Sequence, residues 1–156
     1  MLPLRFVPID RAGLPGGHCP ELGQASKESC AATAALYERV GFVPPWLGYL
    51  AVSGELNVGI CGYTAPPKSG EVEIAYFTFP GFEGRGIATR MAHELLSLAR
   101  ATEPGVVVTA QTRPEQSAST RVLSKLGFRN RGTVVHPEDG EVWEWELAPG
   151  SERGPA

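Results

Sequence analysis

Gly81, Gly84 and Gly86 surround Arg85 where the chain changes from strand-like to helix-like patterning, in GFEGRGIATRMAHELL (residues 81–96). The first turn of a helix has backbone N–H groups without intrahelical partners, and the macrodipole makes that end positive. Glycine lets another molecule approach the backbone closely and adopts dihedrals that a side chain forbids. A strand ending at Pro80, a glycine-rich turn and then a helix therefore form an anion site suited to phosphate. Arg85 can add charge-assisted hydrogen bonds there. The plainer alternative is that Gly84 and Gly86 only allow a tight strand-to-helix turn. Neither common nucleotide motif is present. GRGIAT lacks the last glycine of Gly-x-Gly-x-x-Gly, no acidic ribose-binding position follows, and there is no Gly-Lys-Ser/Thr. ATP and NAD chemistry are thereby set aside.

The remaining reactive residue types make no pattern of their own. Cys19, Cys30 and Cys61 are an odd number at wide spacing, which argues against a disulfide framework or a zinc ribbon. His18, His93 and His136 are scattered, so no metal is expected. The chain has 156 residues, 42% hydrophobic and 20% charged, with a formal net charge of −3. That composition fits one compact domain, expected over residues 1–147, with 148–156 as a flexible tail. A non-specific nucleic-acid partner would need a basic surface, so none is expected. MLPLRFVPID is too short an apolar run for a signal peptide, and no stretch approaches membrane-spanning length. The expectation is a cytoplasmic protein without a membrane partner.

The elements that must position the glycine turn can be read along the chain. Residues 2–9 read as a strand, 10–24 as a Gly/Pro-rich loop, and Ser26 to Val40 as a helix stopped by Gly41. WLGYLAVS (46–53) and LNVGICGYT (56–64) form a hairpin around Gly54-Glu55. EVEIAYFTF (71–79) is a strand with Glu71, Glu73, Ala75, Phe77 and Phe79 on one face and Val72, Ile74, Tyr76 and Thr78 on the other. Ile87, Met91, Leu95 and Leu98 then make an amphipathic helical stripe. GVVVTAQ (105–111) reads as a buried, parallel-type strand. A third helix is expected to open at Thr112-Arg113-Pro114-Glu115, by a capping box with proline in the first turn, and to stop at Gly127. Strands at 129–135 and 141–147 flank Glu138-Asp139-Gly140, a hairpin turn. The fold class is mixed α/β.

Read from Glu71, EVEIAYFTFPGFEGRGIATRMAHELL resembles the signature of the GCN5-related N-acetyltransferase (GNAT) superfamily. There a fourth strand runs into Gln/Arg-x-x-Gly-x-Gly/Ala at a helix N-terminus, here Glu83-Gly84-Arg85-Gly86-Ile87-Ala88. PEQSASTRVLSKLGF (114–128) resembles the family's second landmark, Asn-x-x-Ala/Ser-x-x-Leu-x-x-x-x-Gly-Phe, with Gln116, Ser119, Val122, Gly127 and Phe128 in its positions. The serine at 119 is similar to the ribosomal-protein-acetylating branch. The resemblance covers residues 44–147 well and the first 43 poorly. It implies a mostly antiparallel central sheet, parallel splayed strands 4 and 5, and helices on both faces.

The same resemblance implies that acetyl-CoA is the co-substrate. The backbone N–H groups of Gly84, Arg85, Gly86, Ile87 and Ala88 would hold its pyrophosphate. Pantetheine would lie as a pseudo-strand against Tyr76 and Thr78, with residues near Ala110 and Gln111 opposite. An N–H of Phe77 or Thr78 would face the thioester oxyanion. Glu83 replaces the usual Gln or Arg, so an acceptor-only carboxylate stands where a donor is expected. Gln116 keeps the amide of the usual Asn on a longer reach. Glu73 is the implied general base, with Glu71 as its substitute, although both also read as solvated carboxylates on a half-exposed strand. The family's tyrosine acid falls at Leu123, so Ser119 is the nearest replacement, or else a packing residue in contact with the cofactor. Trp143 and Trp145 read as core, and Trp46, Tyr49 and His136 as closer to the acceptor mouth. Arg113, Arg121, Lys125 and Arg129 read as a solvated, partly phosphate-facing surface. The implied activity is acetyl transfer to a primary amine, a small molecule or a protein N-terminus, by direct attack in a ternary complex. The alternative is a non-catalytic acyl-CoA sensor or interaction domain, and a homodimer is left open.

Overall fold

Apolar residues at helical and strand spacing in this chain sort onto two sides of one sheet. A computed structural model of the protein describes residues 3–152. In chain order the elements are β1 (Leu4–Pro8), α1 (Gln24–Val40), β2 (Gly48–Ser53), β3 (Leu56–Tyr63), β4 (Glu71–Thr78), α2 (Ile87–Thr102), β5 (Val107–Thr112), α3 (Ala118–Leu126), β6 (Arg129–His136) and β7 (Gly140–Leu147). The seven strands lie in the order β1-β2-β3-β4-β5-β7-β6. Every neighbouring pair is antiparallel except β4 and β5. This is the mixed α/β fold the resemblance implies.

Each face of the sheet is covered by the helix stripe that matches it. Met91, Leu95 and Ala99 of α2 and Leu123 and Leu126 of α3 pack with Val72, Ile74, Val108, Trp145 and Leu147 of the sheet. On the opposite face Cys30 and Tyr37 of α1 pack with Val7, Leu50, Val52 and Phe79. The Tyr37 hydroxyl donates to Ile9 O (2.8 Å) and accepts from Gly48 N–H (2.9 Å), so its polar tip is satisfied within that core. Gly41 ends α1 at φ 98° and returns its N–H to Tyr37 O, as a glycine stop does.

Two expectations need correction. The third helix begins at Ala118, not near Thr112, because Ser117 is its N-cap: its side chain accepts from Thr120 N–H, and Thr120 Oγ1 accepts from Ser117 N–H. This second capping box, S-x-x-T, lies five residues beyond the expected one, and Thr112 belongs to β5, where its hydroxyl accepts from Trp145 Nε1–H (3.1 Å). Trp46 is core, edge-on to Tyr63 at 4.9 Å, rather than at the mouth of any cleft. In the C-terminal segment expected to be flexible, Glu152 pairs with Arg100; residues 153–156, like residue 2 of the first expected strand, lie outside the described residues.

Candidate active site

Strands β4 and β5 start paired and then part. Their register is Glu71–Val107, Val72–Val108 and Glu73–Thr109, and there pairing stops, although β4 continues to Thr78 and β5 to Thr112. The polar backbone edge this opens on β4 follows from strand alternation. Phe79 N–H donates to Val58 O (2.9 Å) and Thr64 N–H donates to Glu73 O (3.0 Å). Odd-numbered residues of β4 therefore turn their backbone groups toward β3, Phe77 with its register partner Ile60 included. Tyr76 and Thr78 turn theirs toward the gap. Of the two oxyanion donors considered, Phe77 thus faces the sheet and Thr78 the opening.

The gap leads to the glycine turn. Gly81, Gly84 and Gly86 have φ of 94°, 77° and 76°, values that favour glycine strongly. Gly86 is the N-cap of α2, and no side chain caps the helix. A Cβ placed on Gly84 or Gly86 would meet nothing within 4 Å, so the space above the helix mouth is open. A cleft of about 630 Å³ runs from this mouth along β4 to α3, lined by Tyr76, Phe77, Thr78, Glu83, Gly84, Gly86, Ile87, Ala88, Ser119, Val122 and their neighbours. An extended anionic ligand with a pyrophosphate at one end fits this donor set.

Several expected residues fall elsewhere. Arg85 is exposed and its guanidinium lies over the Phe82 ring at 5.4 Å, leaving its backbone to the helix mouth. Glu83 turns its carboxylate back onto its own turn, where Oε1 accepts from Gly81 N–H (2.8 Å). Backbone hydrogen bonds in that turn hold its pKa below the ordinary carboxylate value. Gln116 is exposed and does not line the cleft; its Oε1 accepts from Thr120 Oγ1 (3.2 Å). Ser119 is exposed on the first turn of α3 and does line it, with Arg121 and Lys125 nearby. Arg129 instead pairs with Glu146 (2.7 Å), and Arg113 belongs to a different cleft.

That second cleft, about 740 Å³, is lined by Glu73, Gln111, Thr112, Arg113, Pro114, Glu115, Asp139, Glu141 and Val142. The two carboxylates of β4 differ sharply. Glu71 is held in a two-pronged bond by Arg131, Nη1 to Oε2 at 3.0 Å and Nη2 to Oε1 at 3.2 Å. The Glu73 carboxylate has no hydrogen-bond partner among the described residues. Burial, and next the nearby Glu144, push its carboxyl pKa up, against an opposing pull from His136. A carboxylate with a raised pKa, beside a strand gap, is suited to taking a proton near neutral pH. Phe77 is exposed and lines the first cleft. It also lines a smaller apolar slot against α1. Among the described residues no cluster of three or more His, Cys, Asp or Glu could hold a metal ion, and no helix is long and apolar enough to cross a membrane.

A splayed parallel strand pair ending at an uncapped, glycine-lined helix mouth is the arrangement that the resemblance implies for an acyl-CoA-dependent N-acetyltransferase. The chain belongs to the family described as the acetyltransferase (GNAT) domain, whose sequence profile matches residues 16–129. Solved structures with the same fold include the ribosomal L7/L12 alpha-N-protein acetyltransferase RimL in complex with coenzyme A. It is 17% identical with a TM-score of 0.64, over 82% of this chain and 73% of that one. The ribosomal-protein-S5-alanine acetyltransferase from Vibrio fischeri is 14% identical with a TM-score of 0.64, over 86% and 79%. The aminoglycoside acetyltransferase AAC(6')-Ib in complex with coenzyme A is 19% identical with a TM-score of 0.58, over 67% of each chain. No curated protein matches the sequence.

Proposed function

We propose that this protein transfers an acetyl group from acetyl-CoA to a primary amine by direct attack, with both substrates bound at once. The observation that carries this reading is the β4–β5 gap, flanked by two clefts of opposite character. One ends at a helix mouth rich in free backbone donors. The other holds a partly buried carboxylate that makes no ion pair among the described residues.

Acetyl-CoA supplies the activated acyl group; the chain supplies position, a base and donors. The N–H groups of Gly84, Arg85, Gly86, Ile87 and Ala88 bind the pyrophosphate at the positive end of α2. The backbones of Tyr76 and Thr78 hydrogen-bond pantetheine as a missing strand would, and Thr78 N–H stabilises negative charge developing on the thioester oxygen. Ser119 adds a hydroxyl contact from α3. Glu73 removes a proton from the incoming ammonium or amine, directly or through one water. Its cleft is rich in carboxylates, which favours a positively charged acceptor. The acceptor is a small-molecule amine or a protein N-terminus, the two acceptor classes named for the RimL-type and aminoglycoside enzymes of like fold.

Titration calorimetry with acetyl-CoA tests the cofactor half: saturable binding is expected, and none at millimolar ligand overturns the proposal. A thiol-release assay across a panel of amines and N-terminal peptides tests the transfer half. Binding without thiol release above background hydrolysis would mark a sensor rather than an enzyme.

A further inference from the structure

Among the described residues one buried side-chain polar atom has no hydrogen-bond partner, the hydroxyl of Tyr76. The other interior tyrosines do not share this. Tyr37 is doubly bonded, and the Tyr63 hydroxyl donates to Leu95 O at 2.6 Å. An unpaired hydroxyl sealed from water costs free energy that a phenylalanine would not, so its retention calls for a partner that arrives later.

The position of Tyr76 indicates which partner. It is the third residue beyond the last β4–β5 pair, inside the gap. Its ring packs on the α2/α3 side of the sheet, and the residue lines the 630 Å³ cleft with Ser119 and Val122 of α3. Position 123, one residue further along α3, is a fully buried leucine with nothing to donate. Ser119 lies a full turn nearer the helix start and is exposed, toward the mouth rather than the depth of the cleft.

We propose that the Tyr76 hydroxyl is the hydrogen-bond donor to the sulfur of the bound acyl-CoA, and so the catalytic residue that stabilises the leaving thiolate. This rests on the acyl-CoA reading above. In the transfer step the amine nitrogen bonds to the acetyl carbon, and the carbon–sulfur bond breaks with its electron pair left on sulfur. Tyr76 Oη–H holds that charge by a hydrogen bond, the proton lost from nitrogen goes to Glu73, and solvent protonates the thiolate on release. Tyr76 keeps its own proton. A phenol is an ordinary weaker acid than a thiol, about 10 against about 8.5, and burial raises this one further, so full transfer to sulfur is uphill.

The test compares wild type with Tyr76→Phe in four measurements. Ligand-free Tyr76→Phe is expected to melt at the same or a higher temperature, because the lost hydroxyl had no partner. Calorimetry should show CoA binding weakened a few-fold and desulfo-CoA, which lacks the sulfur, bound as by wild type. In steady state kcat should fall about tenfold to hundredfold, the range for a lost hydrogen bond to a charged group, with KM for acetyl-CoA little changed. A melting temperature lowered by several degrees, equal weakening of CoA and desulfo-CoA, or an unchanged kcat would each overturn the assignment. Wild-type protein that binds no CoA would instead overturn the functional reading, and this assignment with it.

Discussion

Glu73 and Glu83 are both carboxylates beside the same gap, and their surroundings set them to opposite tasks. Burial raises the pKa of Glu73, with Glu144 adding to the shift, while backbone donors lower that of Glu83. A base must be ionised to act, so kcat/KM should fall as pH drops through the raised Glu73 value, above the ordinary carboxylate range. Glu73→Gln is expected to reduce kcat/KM by roughly 10²–10⁴-fold and to remove that acid limb from the pH profile. Stability has the opposite sign. The folded pKa exceeds the unfolded one, so the group's contribution worsens as pH rises from the unfolded value through the raised one. Glu73→Gln should therefore melt no lower than wild type at neutral pH. A lower melting point would mean that Glu73 is structural. Glu83 stands exposed at the helix mouth with its charge turned onto the Gly81 amide. Glu83→Gln removes a negative charge from beside the pyrophosphate site, so acetyl-CoA should bind a few-fold tighter by calorimetry, most visibly at low salt.

At the scale of elements, the function rests on one interrupted strand pair and one helix start. The three residue pairs of β4 and β5 hold the two strands together at one end only, which leaves the backbone of Tyr76 and Thr78 facing an opening. The helix mouth depends on glycine for conformation rather than space. Gly86 has φ 76° with nothing within 4 Å of where a Cβ would stand, so alanine there would meet strain but no clash. Gly86→Ala is expected to cost about 1–2 kcal/mol of stability, the penalty of a left-handed residue. It should also weaken acetyl-CoA binding at least tenfold, because the first-turn N–H groups would be reoriented. Unchanged affinity in calorimetry would detach the turn from the cofactor. Much of this was legible in sequence. Pro80, the glycine spacing and the Ile87–Met91–Leu95 stripe predict a strand, a turn and a helix in the right order. The start of α3 was not, because Thr112-x-x-Glu115 matches the usual capping-box pattern, whereas the box that forms, Ser117-x-x-Thr120, carries threonine in place of Glu or Gln. The winner was decided by β5, which keeps Thr112 extended beside Trp145.

For the molecule as a whole, a ligand that binds only the folded state must raise its stability by mass action. Acetyl-CoA at about a hundred times its Kd should add about 2.7 kcal/mol. For a chain of this length that corresponds to roughly 5–10 °C in the thermal midpoint. CoA without the acetyl group should give a comparable shift, since the pyrophosphate and pantetheine contacts are common to both. A midpoint that does not move with either ligand would contradict the site at the level of the whole fold.

The sequence alone determined the order of elements, the glycine-lined helix start and the two landmarks of the family, because these depend on local backbone preference and on periodicity within a few residues. Only the tertiary structure decided which groups face the gap. Strand alternation across the β3–β4 register turned Phe77 N–H inward and Thr78 N–H outward. Arg131, sixty residues away in sequence, occupied Glu71 and left Glu73 free. The unpartnered hydroxyl of Tyr76 likewise belongs to no local pattern. Such facts arise from contacts between distant segments, where packing and charge are balanced, and no reading of neighbouring residues contains them.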